Sequence, residues 1–321
     1  MIDRITMQVY GVGETYIDEK MPDLMTEFDD KKLISRGNYK GLRITYYKGG
    51  STLRVEGSLH KFAKGNNYCR YTFSEAVETL QELSTLLGKP MSVFNITSLE
   101  VGVNVSMEED PMRYVETLAY HKGNPFLLMH PRSGSTTICG SKCSMSEYWI
   151  KFYDKIADFV KDEKIHVDDR EKLPRNILRY EVKFTKSQLQ TFGFKNPTAE
   201  SLCSRKYATF CANLLYSVLD EIIFADHSID HTKMPHKSSK DLQNKIKDYI
   251  FVTSNGHDRY LRFLSENVGE AEYKKEKRRK ATLLKKIKPL LMGKYEKEFR
   301  EKFAEEILHV LDYKRATRRK V

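Results

Sequence analysis

Three stretches of this sequence alternate apolar and polar residues with a period of two, the spacing of an extended chain with two unlike faces. In TSLEVGVNV, Leu99, Val101, Val103 and Val105 share one face, and Glu100, Gly102 and Asn104 share the other. In EYWIKFYDK the apolar set is Tyr148, Ile150 and Phe152, with Trp149, Lys151 and Tyr153 opposite and Lys155 following. In ILRYEVKFT it is Leu178, Tyr180, Val182 and Phe184, with Arg179, Glu181 and Lys183 opposite. Parallel strands are buried on both faces and read as continuous apolar runs, so these segments point to an antiparallel sheet with helices on one face. The expected fold class is α+β. The polar face is the candidate functional surface.

Between Ile5 and Val105 the runs ITMQVY, LRITYY and TLRVEG, separated by glycines, predict further strands. One helix is predicted among them, over SEAVETLQELSTLLG, with Ser74 as N-cap, an apolar face of Val77, Leu80, Leu83 and Leu87, and Gly88 with Pro90 as the stop. Near Pro197 the periodicity becomes helical. Thr198 is placed to cap a helix through AESLCSRKYATFCANLLYSVLDEIIF, and the loop HSIDHTKMPHKSSKD separates it from the next. The expected division is a catalytic domain over 1–196 and a mostly helical region over 197–321. Residues 271–321 hold 18 Lys+Arg against 8 Asp+Glu, nearly all of the chain's net charge of +11. Such a basic tail suits a polyanion, nucleic acid being the commonest, although a solvated helical surface has the same composition.

Several function classes are disfavoured. No apolar run approaches the roughly 20 residues of a membrane span, and Asp3 and Arg4 stand where a signal peptide has its apolar stretch. No membrane partner is expected, and a cytoplasmic location is. Five scattered cysteines suit a reducing compartment, and the C-x₃-C pair Cys139 and Cys143 lacks the second pair of a zinc finger. His227, His231 and His236 invite a zinc reading, but no glutamate stands between them as in a metalloprotease, and a solvated linker is expected. GVGETY lacks the Lys-Ser/Thr of a P-loop, so no NTPase is expected.

The polar faces carry the chemistry. A tyrosine with an ordinary pKa of about 10 is a poor nucleophile at neutral pH unless cations or a metal favour its phenolate. Lys151 and Lys155 are placed to do that for Tyr153. Glu100 and Glu181 supply oxygen donors suited to Mg²⁺ or Mn²⁺, which polarises a phosphodiester oxygen. These parts describe a DNA-nicking transesterase. Read from the residues alone, a tyrosine such as Tyr153 on a half-exposed strand is usually there for packing or hydrogen bonding, and the two glutamates could equally be ion-pair partners of Arg179 and Lys183.

GSLHKFAKGNN (57–67), SLEVGVNV (98–105), STTICGSKCSMSEYWIKFYDK (135–155) and LRYEVKFT (178–185) resemble the ordered motifs of the phage and plasmid replication initiators named for the filamentous-phage gene II protein. The GS-x₂-S to YDK stretch is also similar to the plasmid trans-acting initiators, within the broad HUH endonuclease class. The similarity covers roughly residues 1–190. It implies that Tyr153 and Lys155 are the tyrosine and lysine of the family's Y-x-K motif, with Tyr148 the other local tyrosine. It implies metal ligation by Glu100, Glu181 and His60, with carboxylates in place of the His-hydrophobic-His triplet, which is absent here. It further implies contact of His60, Lys61 and Asn67 with DNA or phosphate.

The expected function is a rolling-circle replication initiator that nicks and rejoins origin DNA through a 5′-phosphotyrosine. Arg179 and Lys183 would contact DNA at the cut, Trp149 could stack on unpaired bases, and Lys274, Lys275, Arg278, Arg279 and Lys280 with the terminal KRATRRK would hold flanking duplex. The substrate would be single-stranded or hairpin origin DNA of a bacterial plasmid or phage. A host helicase, single-strand binding protein and DNA polymerase are the implied partners. Competing expectations are a non-enzymatic DNA-binding replication regulator, a mobilisation relaxase and an RNA-binding protein.

Overall fold

The three alternating segments lie side by side in a ten-stranded antiparallel sheet. The computed structural model describes residues 1–20, 27–29, 33–130, 137–162, 171–225, 236–253, 255–287 and 293–312. The first six strands are β1 (Ile2–Tyr10), β2 (Glu27–Asp29), β3 (Ile34–Tyr39), β4 (Leu42–Tyr47), β5 (Thr52–Ser58) and β6 (Asn95–Ser106). Next come β7 (Leu118–His121), β8 (Asn124–Pro125), β9 (Leu127–Met129), β10 (Gly140–Ser144), β11 (Tyr148–Asp154), β12 (Ile177–Thr185) and β13 (Ile222–Phe224). The large sheet has the order β2-β3-β4-β5-β1-β6-β12-β11-β10-β9, and β13-β7-β8 forms a second, small sheet.

The helices of the first half are α1 (Glu14–Lys20), α2 (Leu59–Lys64), α3 (Phe73–Leu86), α4 (Pro111–Val115) and α5 (Lys155–Asp162). Those of the second are α6 (Lys186–Thr191), α7 (Ala199–Leu202), α8 (Arg205–Asp220), α9 (Ser239–Thr253), α10 (Asn255–Asn267), α11 (Glu270–Ile287) and α12 (Lys294–Val310). The architecture is α+β with an antiparallel sheet. No helix among the described residues is long and apolar enough to cross a membrane.

The apolar face behaves as its pattern predicts. Val101, Val103, Ile150, Phe152, Tyr180 and Val182 are all buried in one core. Phe152 stacks on Tyr180 at 4.6 Å, and Phe299 and Phe303 of α12 meet Tyr180 edge-on at 6.0 and 5.6 Å. The Tyr180 hydroxyl donates to the Leu215 carbonyl of α8 at 2.9 Å. This core therefore draws on both sides of residue 196, and Ile96 N–H donates to the Pro197 carbonyl at 2.8 Å across that point.

Two local expectations are corrected. The N-cap of α3 is Thr72, whose extended backbone lets its side chain accept from Glu75 N–H in a capping box; Ser74 lies in the first turn and donates from Oγ to Asp312 at 2.7 Å. Thr198 caps as expected, but it caps only α7, and Ser204 starts α8 afresh. Ile222, Ile223 and Phe224 then leave the helix, because three consecutive buried apolar side chains suit a strand paired to β7 rather than one helix face.

Candidate active site on the polar face of the sheet

The polar faces of β1, β6, β11 and β12 converge on a cleft of about 600 Å³, lined by Asp3, Glu100, Lys151, Tyr153, Lys155 and Glu181 among others. Asp3, Glu100 and Glu181 each offer a carboxylate oxygen within 4.8 Å of the others. Asp3 is absent from the alternating pattern, and a β-bulge explains why. Ile2 pairs with Val101 and Ile5 with Leu99, so β1 spends one residue more than β6 over that interval. Ile2 and Ile5 both stay in the core while Asp3 turns to the polar face. The sequence signal is the two polar residues between Ile2 and Ile5, where strict alternation allows one.

The GSLHK element braces this arrangement. Ser58 caps α2 by accepting from Lys61 N–H at 3.0 Å, and its hydroxyl donates to Asp3 Oδ1. His60, implied as a metal ligand, is instead buried beneath α2, stacked on Tyr71 at 4.6 Å with Nε2 3.2 Å from Cys69 Sγ. Burial lowers its pKa to about 3, so it is a neutral core residue outside the carboxylate triad. Lys61 and Asn67 do line the cleft. Asn67 is only 7% exposed, and its buried Oδ1 has no hydrogen-bond partner among the described residues.

Glu181 is the hub. Its Oε1 accepts from Lys151 Nζ at 2.9 Å, and its Oε2 accepts from the Tyr153 hydroxyl at 3.0 Å and from Arg179 Nε at 3.3 Å. Arg179 also donates to Asp3 Oδ2 at 2.7 Å and to Asn104 Oδ1 at 3.1 Å. At 2% exposure Arg179 cannot reach a nucleic acid, which corrects the expectation of a DNA contact; it neutralises the buried carboxylates.

The titration directions follow from these contacts. Burial opposes ionisation of Asp3, but the Arg179 guanidinium and the Ser58 hydroxyl override it and hold its pKa below the usual value. Burial likewise opposes ionisation of Glu181, and Lys151 with Arg179 overrides it in the same direction. The Glu100 carboxyl has no hydrogen bond or ion pair among the described residues; burial, then the charges of Glu181 and Asp3, push its pKa up to about 8. Two carboxylates thus face two cations, and Glu100 is held toward its protonated form.

Tyr153 departs from expectation. Lys151 is committed to Glu181, and Lys155, 2% exposed, donates to Asp158 at 2.8 Å while its Nζ sits 5.2 Å from the Tyr153 ring centroid. Neither lysine hydrogen-bonds to the phenolic oxygen. Burial, followed by the Glu181 charge, raises the Tyr153 pKa well above 10, so the resting group is a neutral phenol donating to a carboxylate. The ring is 8% exposed but lines the cleft. Tyr148 points into the apolar side, its hydroxyl 2.7 Å from His121 Nε2.

Glycines stand directly across the ladder from both central side chains. Gly102 pairs with Glu181 and Gly140 with Tyr153. A Cβ on Gly102 would sit 2.7 Å from Glu181 Cβ, and one on Gly140 would sit 2.5 Å from Tyr153 Cβ. Only glycine permits these approaches without displacing the strands.

Other expected contacts disperse. Lys183 lies outside the cleft, 4.8 Å from the Trp149 ring centroid, with Lys142 5.3 Å from the same ring. Lys274, Lys275, Arg278 and Arg279 are exposed on α11, three of them in ion pairs with glutamates of the same helix. Lys280 is not presented to a polyanion: it is fully buried, its Nζ 3.5 Å above the Tyr120 ring of β7. His236 is exposed, whereas His227, His231 and the terminal KRATRRK lie outside the described residues. No family model and no curated protein matches the chain.

Proposed function

We propose that the protein is a divalent-metal-dependent DNA nicking and joining enzyme that starts rolling-circle replication, with Tyr153 as nucleophile. The observation that carries this reading is the Tyr153 hydroxyl hydrogen-bonded at 3.0 Å to a member of a three-carboxylate cluster in an open cleft. Three oxygen donors, one of them unpaired, suit a hard ion such as Mg²⁺ or Mn²⁺. Charge supports both ion and substrate. With Glu100 ionised the site has three negative and two positive groups, a divalent ion brings it to +1, and one phosphodiester returns it to zero.

When bound between Asp3, Glu100 and Glu181, the ion would polarise a phosphodiester oxygen and offset the negative charge that holds Tyr153 neutral. Glu181 accepts the phenolic proton as the Tyr153 oxygen attacks phosphorus. The bond from phosphorus to the 3′-oxygen breaks, that oxygen takes up the proton held by Glu181 and leaves as a hydroxyl, and the 5′-phosphate remains on Tyr153. The reverse sequence rejoins the strand. Lys151 and Arg179 keep Glu181 in register, and Lys155 fixes the ring from its face. Host helicase, single-strand binding protein and polymerase would act on the nicked product, and a cytoplasmic site in a bacterial host is part of the same proposal.

A second reading, a non-enzymatic DNA-binding replication regulator, is favoured by the neutral state and low exposure of Tyr153. Supercoiled origin plasmid with Mn²⁺ separates the two. The proposal expects nicked circles from the wild type and background levels from Tyr153→Phe; equal yields from the two proteins favour the regulator.

A further inference from the structure

The substrate strand must continue beyond the cleft, and the same face of the sheet extends on both sides of it. On β3, β4 and β5 the residues facing away from the core include Arg36, Arg43 and Arg54. Register places Arg36 opposite Thr45 and Thr45 opposite Arg54, while Gly37, Ile44 and Val55 occupy the buried side. Arg36 and Arg54 are therefore two strand spacings, about 10 Å, apart on one surface. Arg43 is exposed; Glu56, held by Arg4 at 3.3 Å and Arg54 at 2.7 Å, is the one acidic residue of β3, β4 and β5, and on the neighbouring β2 Glu27 stands opposite Arg36, so a phosphate on this face replaces carboxylate neighbours of the arginines. Arg4 itself lines the cleft, so this arginine-bearing surface abuts the carboxylate cluster.

Across the cleft the face has another character. Trp149 is half-buried between β10 and β12, with Lys142 and Lys183 each within 5.3 Å of its ring centroid. An aromatic ring flanked by cations offers a base a stacking surface and its phosphate a partner.

We infer that single-stranded DNA lies across the strands of the sheet, its phosphates on Arg36, Arg43 and Arg54 on one side of the cleft and a base on Trp149 on the other. This rests on the nicking reading for the choice of polymer, but it is a statement about binding. The two arms differ in chemistry and therefore in salt response. Arginines that neutralise phosphates release counterions, about 0.7 per phosphate on a single strand, whereas a stacking ring does not.

The test is equilibrium binding of a twenty-nucleotide deoxythymidine oligomer to the full chain over a range of salt concentrations. Arg36→Ala/Arg43→Ala is expected to weaken binding about tenfold and to lower the slope of log affinity against log salt by about 1.4. Trp149→Leu, which keeps an apolar cover for the lysine stems, is expected to weaken binding about tenfold with the slope unchanged. Melting temperatures within a few degrees of wild type would show that both variants fold. Wild-type affinity in either variant, or an unchanged slope in the arginine variant, overturns the inference. A protein that shows both effects yet forms no tyrosine adduct keeps this surface and loses the nicking reading; an adduct with neither effect does the reverse.

Discussion

Glu100 and His60 are both buried, yet their environments give them opposite parts. Glu100 is held toward its neutral form and its carboxyl has no hydrogen bond or ion pair among the described residues, so Glu100→Gln removes a proposed metal donor without breaking a contact. It should melt like the wild type in chelator at neutral pH and lack the rise in melting temperature that Mn²⁺ is expected to give the wild type; a full rise in the variant would place the ion elsewhere. Arg179 is the reverse case, a cation whose removal leaves Asp3 and Glu181 uncompensated in the interior. Arg179→Met should cost about 3–5 kcal/mol in denaturant unfolding, and a loss under 1 kcal/mol would contradict its neutralising role. His60 governs acid stability. Its folded pKa of about 3 lies below the ordinary value of 6.5, so the unfolded chain binds a proton that the native one refuses. The stability tied to a neutral His60 is complete above pH 6.5 and is lost as pH falls toward 3. His60→Phe, which can keep the stack on Tyr71, should show a shallower loss over that window in urea titrations at stepped pH.

At the scale of strands, the site depends on a bulge and two glycines as much as on its polar groups. Gly140→Ala presses on Tyr153 but on none of the three carboxylates, and Gly102→Ala presses on Glu181. The first should lower nicking while Mn²⁺ binding persists, and the second should lower both; calorimetric titration of Mn²⁺ separates them, and equal behaviour would refute the pairing. This scale also marks where the sequence stops being readable. Alternation assigns Glu100, Lys151, Tyr153 and Glu181 to one face because side-chain direction is a local property. Register is not local: that Lys151 stands opposite Glu181, and so is spent on it rather than on Tyr153, depends on two strands 30 residues apart. Asp3 escapes because a bulge breaks the period that would have revealed it. IIF at 222–224 reads as the end of a helix until β7 is there to pair with it.

Over the whole molecule, charge and core divide the C-terminal region. Its net positive charge is legible from composition, but not that Lys280 is buried while its neighbours on α11 are exposed. Nor does helical periodicity reveal that α12 returns to the apolar face of the sheet, where Phe299 and Phe303 pack on Tyr180, one residue from Glu181. Phe303→Ala should therefore destabilise the sheet, by about 3–5 kcal/mol in denaturant unfolding followed at Trp149 on β11; an unchanged midpoint at that probe would contradict the shared core. The central claim is a covalent bond, and it is tested most directly by mapping one. Labelled single-stranded origin DNA, incubated with the full chain and Mn²⁺ and resolved under denaturing conditions, should leave a 5′-linked fragment on the peptide that contains Tyr153. No linked fragment, or a link to any other residue, would contradict the account.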